Sequence, residues 1–141
     1  MGRIMAIDYG RKRCGIAVTD ELQLIANGLT TIRSHDIFDF LSTYLAQEKV
    51  DEVVIGEPKD MQNKPSEAAR YIEPFVNRLR KTFPDLAVHR FDERFTSVMA
   101  FQSMIDAGLS KKKRQDKSLV DTISATLILQ SYMESQKNHR K

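Results

Sequence analysis

The segment from Arg3 to Asp8 constrains the fold most strongly, because its four residues Ile4 to Ile7 are all apolar. A strand that is apolar on both faces is typical of the centre of a sheet covered on both sides. Two further strands are predicted, from Cys14 to Thr19 and from Leu24 to Ile32, the latter broken near residues 27–28. Short polar connections between these three segments indicate antiparallel hairpins.

After the three strands, helical and strand patterns alternate along the chain. A hairpin meander followed by βαβ crossovers predicts a mixed five-stranded sheet flanked by helices. This order of elements is that of an RNase H-like fold, although other α/β domains share it. The predicted elements are a helix capped by Ser34 or Asp36, a strand from Val50 to Ile55, a polar loop from Gly56 to Pro65, a helix at or after Ser66 that contains Pro74, a strand from Ala87 to Phe91, a helix capped by Thr96 and closed by Gly108, a basic loop from Ser110 to Lys117 and a helix from Ser118 to Ser135.

The chain has 141 residues, which fits a single domain over residues 1–141, with a flexible basic tail from about residue 136. No apolar run approaches the roughly 20 residues that cross a bilayer. The N-terminus lacks the pattern of a signal peptide, so we expect a cytoplasmic protein with no membrane partner. The single cysteine, Cys14, is expected to be a small apolar strand residue.

Basic residues are clustered more than the formal net charge of +3 suggests. Such clusters favour binding to a polyanion such as nucleic acid. The alternative is that they are solvated loops and a solvated tail, which is the usual role of charge runs. The clusters are Arg11-Lys12-Arg13, Lys111-Lys112-Lys113-Arg114 and the tail from Lys137 to Lys141.

Three acidic residues lie where predicted elements begin or end. Asp8 closes the first strand, Glu93 follows the fifth, and Asp121 lies in the first turn of the last helix. Because sites form at the carboxyl ends of strands, Asp8 and Glu93 emerge at one edge if their strands run parallel. Asp121 would then complete a triangle from the packed helix.

Converging carboxylates repel one another unless one is protonated or a cation shares the site. Mg²⁺ suits such a site because it prefers hard oxygen ligands. Two such ions can activate water and neutralise the leaving oxygen of a phosphodiester. These residues therefore predict a metal-dependent phosphodiester hydrolase.

Each acidic residue also has a simpler structural interpretation. Asp8 can start the turn before Gly10, Asp121 can favour a helix dipole, and Glu93 can pair with Arg94. The glycine-bearing hairpin after Asp8 is also similar to the first phosphate loop of actin-like kinases and ATPases, which would predict nucleotide binding.

Three blocks, in this order, resemble the YqgF family, whose members are described as RuvC-like Holliday junction resolvases or as pre-16S rRNA nucleases. They span nearly the whole chain, which makes the resemblance specific. The blocks are Ile7 to Asp20 (IDYGRKRCGIAVTD), Asp92 to Ser97 (DERFTS), and Lys117 to Asp121 (KSLVD) with Ala125 and Ile128 to Tyr132 (ILQSY).

The resemblance implies an RNase H-like nuclease in which Asp8, Glu93 and Asp121 are catalytic ligands of Mg²⁺ or Mn²⁺. It implies an endonuclease on structured nucleic acid that processes the 5′ end of pre-16S rRNA in ribosome biogenesis, with the small ribosomal subunit as partner. Resolution of four-way DNA in recombination and repair is the alternative, and it requires a dimer. A non-catalytic ribosome-assembly factor is a third hypothesis.

Contacts to phosphates are expected from four basic residues in or beside the matching blocks. This role is inferred from their charge and placement. The four residues are Arg11, Lys12, Arg13 and Arg94.

The chain departs from the family's pattern after the fourth strand. The family shows Gly-Leu-Pro there, whereas this chain has Gly56-Glu57-Pro58. RuvC-like nucleases often carry an acidic ligand near this point, so Glu57 is either a supplementary ligand or a solvent-facing loop substitution. We predict the loop substitution.

Overall fold

The computed structural model describes residues 2–57, 69–92 and 117–139. Their core is one five-stranded sheet in the order β3-β2-β1-β4-β5. Strands β1 to β3 are antiparallel neighbours, whereas β4 and β5 run parallel to β1. The strands are β1 (Arg3–Tyr9), β2 (Arg13–Thr19), β3 (Ala26–Arg33), β4 (Val50–Glu57) and β5 (Ala87–Asp92).

Strand β1 lies at the centre of this sheet, as its continuous apolar run predicts. Met5, Ala6 and Ile7 are all fully buried. Met5 and Ile7 point into a core on one face, while Ile4 and Ala6 point into a second core on the other. The alternation of side chains along a strand thus makes one short segment part of both cores.

In the described part of the chain, three α-helices cover the two faces of the sheet. The first face carries α1 (Ile37–Gln47) and α2 (Ala69–Thr82), and the second carries α3 (Lys117–His139). Helix α2 continues through Pro74. No helix among the described residues is long and apolar enough to cross a membrane.

The second face of the sheet has unusually small residues where α3 packs. Ala6 and Ala17 are register partners and both are fully buried. A Cβ atom placed on Gly15 would lie 1.9 Å from the backbone carbonyl oxygen of Asp121. Because a carbonyl of a packed helix has no freedom to rotate away, only glycine permits this approach.

The interruption predicted near residues 27–28 of the third strand is a β-bulge. The β2–β3 register passes from Ile16 opposite Thr30 to Ala17 opposite Gly28, which leaves Leu29 unpaired. A one-residue shift changes the face on which later side chains point. Gly28 and Thr31 therefore both meet Thr122 of α3, although they are three residues apart.

Several predicted boundaries were wrong by a few residues. Strand β4 extends two residues past Ile55 to Glu57, and β5 extends to Asp92. Helix α3 passes the predicted end at Ser135 and includes the first residues of the predicted tail. The helix predicted from Thr96 and all but the last residue of the basic loop from Ser110 lie outside the described residues.

The turn between β2 and β3 is held by Asp20. Its carboxylate accepts hydrogen bonds from the backbone amides of Leu24 and Ile25, both at 2.8 Å, and of Leu22 at 3.3 Å. These bonds favour the charged form, so they lower the pKa of Asp20. Asp20 thus stabilises a turn, and its substitution can serve as a control when the effect of Asp8 on stability is measured.

Gly15→Ala is expected to destabilise the protein by about 1–3 kcal/mol, the usual cost of overpacking a rigid contact. The added methyl group would meet the backbone of α3, so the helix would have to move away from β2. Urea unfolding of the full chain would measure the change in the free energy of unfolding.

Gly28→Ala is the matched comparison, because Gly28 faces the same helix from the next strand. Its new Cβ would meet the Thr122 side-chain methyl, at 2.5 Å, rather than backbone. A side chain can rotate, so the loss should be smaller than for Gly15→Ala. Equal losses would contradict the proposed role of the backbone contact.

Candidate active site

Asp8 lies near the carboxyl end of the central strand, on the face covered by α3. It follows Ile4 and Ala6 at intervals of two, and its register partner is Gly15. The next residue, Tyr9, faces the opposite side and stacks on Phe75 of α2 with ring centroids 4.0 Å apart. This packing fixes the strand end that carries the Asp8 carboxylate.

Asp121 reaches the same face of the sheet from helix α3. It is the fifth residue of the helix, so the prediction that it lies in the first turn was wrong. Its carboxylate instead forms an ion pair with the guanidinium of Arg13, which lies 108 residues earlier in the sequence. The side chain of Asp121 is 22% exposed and that of Arg13 is 38% exposed.

The structure brings Asp8 and Asp121 close enough for their charges to interact. Burial, together with the charge of Asp121, raises the pKa of the Asp8 carboxyl from 3.8 to about 6. A partly dry carboxylate beside a second carboxylate holds a proton more tightly than one in water. A cation bound here would stabilise the buried charge of Asp8 and reduce its repulsion by Asp121.

The predicted third ligand, Glu93, lies outside the described residues, as does Arg94. The strand that leads to Glu93 is described, however, and it ends at Asp92. Since β5 runs parallel to β4, and β4 to β1, the carboxyl ends of all three strands lie at the same edge. Asp8 and Glu93 were predicted to emerge at one edge if their strands run parallel, and β1 and β5 do run parallel.

Glu57 is part of this edge but has a different environment. It is the last residue of β4, opposite Asp92 in the register, so the prediction of a solvent-facing loop position was wrong. Its carboxylate lies 2.8 Å from the guanidinium of Arg90, which also pairs with Glu73. The charge of Glu57 is thus compensated by a cation of the chain itself.

The donor chemistry of Asp8 and Asp121 fits a hard divalent cation, because both supply carboxylate oxygens. The Arg13 guanidinium already shows that this position attracts positive charge. Among the described ranges, no group of three or more His, Cys, Asp or Glu side chains is placed to hold a metal ion. The two aspartates therefore account for only part of the predicted ligand set.

A groove beside the aspartates is lined by five basic residues. Its volume is about 490 Å³. Three of its residues were predicted from the sequence to contact phosphates. The other two, at the end of β3 and just after it, were not predicted to be part of a site. The lining residues are Arg11, Lys12, Arg13, Arg33 and His35.

Ser34 holds the two parts of this groove together. Its amide donates to the Lys12 carbonyl at 3.0 Å, and its hydroxyl donates to the Gly10 carbonyl at 2.5 Å. The hydroxyl also lies 3.3 Å from the sulfur of Cys14, which packs in the first core as a small strand residue, as predicted. Ser34 was predicted as a possible helix cap, but its side chain stabilises the β1–β2 turn instead, and Asp36 takes the cap position without a side-chain cap bond.

Solved structures with the same fold include two resolvases. Thermus thermophilus RuvC, in complex with a Holliday junction substrate, superposes with a TM-score of 0.57 at 12% identity, covering 96% of this chain and 97% of that one. The fowlpox virus Holliday junction resolvase gives 0.55 at 16% identity, covering 95% and 99%. With the observed strand order, these matches define an RNase H-like fold of the RuvC type.

Sequence comparison is more specific than the fold. The family described as "RuvX: Holliday junction resolvase" matches residues 2–135, so the chain belongs to the RuvX, or YqgF, family. Proteins named "Putative pre-16S rRNA nuclease" from Phocaeicola vulgatus and Flavobacterium johnsoniae are each 60% identical over 137 residues. In both comparisons the match covers 97% of this chain and 99% of the relative.

Asp8→Asn is expected to make the metal-free protein more stable at pH 7.5. Burial and the charge of Asp121 disfavour ionised Asp8 in the folded state, and its pKa therefore rises from 3.8 to about 6. The cost is absent well below the unfolded pKa of 3.8, where both states are protonated, grows as the pH rises to the folded pKa of about 6, and then levels at roughly 3 kcal/mol or less. Urea unfolding in EDTA at several pH values from 4 to 7.5 would measure it.

Asp20→Asn provides a control with the opposite sign. The pKa of Asp20 is lowered on folding, so its charge stabilises the folded state at neutral pH and this effect is lost in acid. Asp20→Asn should therefore be less stable than wild type at pH 7.5. An Asp8→Asn protein that is also less stable there would contradict the buried, repelled carboxylate.

Proposed function

We propose that the chain is a divalent-metal-dependent endonuclease acting on structured RNA, with the 5′ end of pre-16S rRNA as its processing site. The observation that carries this proposal is the convergence of Asp8 and Asp121 beside a basic groove. The names of the relatives support the choice of RNA. The RuvC-type fold supports the choice of a nuclease.

In this proposal Asp8, Asp121 and Glu93 hold Mg²⁺ or Mn²⁺. When bound, the metal would stabilise negative charge that develops on the scissile phosphate. Asp8 supplies a carboxylate on the central strand, which is packed between two buried cores. Asp121 is positioned by the contact of α3 with Gly15, and Arg13 compensates its charge.

The basic residues orient the substrate. Arg11 and Lys12 lie in the turn directly after β1 and Arg13 begins β2, so phosphates that they bind are led towards Asp8. Such contacts fix the position of the backbone without reading its sequence. We assign the same role to Arg94, next to the proposed ligand Glu93.

Resolution of four-way DNA is the second candidate, favoured by the description of the family. Paired cuts in a twofold-symmetric junction need two active sites and hence a dimer. In the RNA proposal the chain acts as a single cytoplasmic domain with the ribosomal small subunit as its partner, and it needs no second copy.

Asp8→Asn and Asp121→Asn are each expected to lower cleavage at least about 100-fold, the usual effect of removing one preorganised electrostatic group. The assay would present precursor 16S rRNA and a four-way DNA junction side by side, with Mg²⁺, with Mn²⁺ and with EDTA. Circular dichroism would check that both variants are folded.

The outcomes separate the candidates. Cutting of the RNA alone supports RNA processing, and cutting of the junction alone supports a resolvase. A folded Asp8→Asn protein with wild-type activity would rule out the site assignment. Binding without cleavage of either substrate would favour a non-catalytic assembly factor.

Glu57→Gln should lower cleavage far less than Asp8→Asn, because Glu57 follows Ile55 of the first core and so points to the face opposite that of Asp8, where Arg90 engages it. The same cleavage assay measures this difference. A loss as large as that of Asp8→Asn would instead make Glu57 a metal ligand. Glu73→Gln, which removes the other carboxylate from Arg90, controls for damage to the ion-pair cluster.

A further inference from the structure

Arg33 and His35 lie outside the residue set assigned so far, yet both line the basic groove. Arg33 ends β3, and its register partner across the sheet is Arg13. Directly opposed residues point to the same face of a sheet. Arg33 therefore shares the face on which Arg13 meets Asp121.

The positions of the relevant residues follow the pleat of the sheet. One cross-strand row contains Asp8, Gly15 and Thr31, and the next row on the same face contains Arg13 and Arg33. The row of acidic and small residues carries the candidate metal site. The row of basic residues lies beside it and leads away to the edge strand.

This arrangement costs energy in the free protein. Like charges directly opposite each other on neighbouring strands are destabilising. Among the five basic residues of the groove, only Arg13 has an ion-pair partner within residues 2–57, 69–92 and 117–139. Positive charge that is concentrated and uncompensated on an exposed surface favours a polyanionic ligand.

The groove is also preorganised. Ser34 lies between Arg33 and His35 and is tied to the β1–β2 turn by two hydrogen bonds, to Lys12 and to Gly10. The β3 end and the β1–β2 turn therefore form one rigid unit. A rigid unit loses less conformational entropy when it binds a ligand.

We infer that Arg33 and His35, together with Lys12, form a second phosphate-binding subsite that holds the nucleic-acid backbone next to the scissile phosphate. The inference rests on the proposed nuclease function, since it places the substrate of the same site. The contacts are to phosphates, so the subsite distinguishes neither base sequence nor sugar. Its role is to direct the strand across β2 and β3 rather than towards β5.

The test is the binding of a fluorescent RNA hairpin and of a DNA duplex of the same sequence to the full chain. Fluorescence anisotropy in EDTA, across a series of salt concentrations, separates binding from cleavage. For Arg33→Gln we expect weaker binding to both probes. The slope of the logarithm of the binding constant against the logarithm of the salt concentration should become shallower by about 0.7–0.9, the value for one lost phosphate contact.

Lys81→Gln is the matched control, because it also removes one positive charge from an exposed position. Lys81 lies in the last turn of α2, before β5 begins, and so at the opposite edge of the sheet from Asp8. It should leave the salt dependence unchanged. Arg33→Lys, which keeps the charge, should retain most of the binding.

Arg33→Gln with wild-type affinity and salt dependence would overturn the subsite, as would equal effects of Arg33→Gln and Lys81→Gln. A wild-type protein that binds neither probe would overturn it as well. Weakened binding by Arg33→Gln, with no cleavage by wild type in Mg²⁺, would support the subsite and count against the nuclease. Cleavage that requires Asp8, together with binding and cleavage that are unchanged by Arg33→Gln, would support the nuclease and overturn the subsite.

Discussion

The contact between helix α3 and strand β2 at Gly15 is the constraint on which the candidate site depends. The helix backbone occupies the space where any other residue would place a Cβ atom. This contact sets how close Asp121 comes to the sheet, and the register sets Asp8 directly beside Gly15. Small residues at the neighbouring positions Ala6 and Ala17 extend the same close packing along the helix. The geometry of the two carboxylates is thus a result of core packing rather than of loop conformation.

Electrostatics and packing oppose each other at this site. Packing brings two carboxylates together in a partly dry environment, and this raises the pKa of Asp8. Arg13 pairs with Asp121, and in the proposed function a metal ion would supply the further positive charge beside Asp8. Functional sites often store destabilisation of this kind while the surrounding core maintains the fold. Here the two cores on either side of β1 supply that stability.

The central position of β1 could be predicted because four adjacent apolar residues leave no polar face. The family's three blocks likewise predicted that Asp8 and Asp121 belong to one site, and the structure brings the two residues close enough for their charges to interact. The bulge at Leu29 could not be predicted as such, since a one-residue shift in pairing leaves the local pattern unchanged but reverses the face. No local pattern encodes contacts between residues that are distant in sequence. The pairing of Arg13 with Asp121 is such a contact, and the position of Arg33 beside Arg13 depends on the strand register.

The position of Asp121 on the last helix has a consequence for biosynthesis. The sheet-forming strands and the basic turn are translated first, whereas Asp121 follows Arg13 by 108 residues. A nascent chain that lacks α3 leaves the second face of β1 uncovered and holds Asp8 without its partner carboxylate. The residues that line the basic groove, and Ser34 that joins its two parts, have all been translated at this stage. The order of translation thus supplies the residues proposed to hold a phosphate backbone before it supplies one of the residues proposed to cut it.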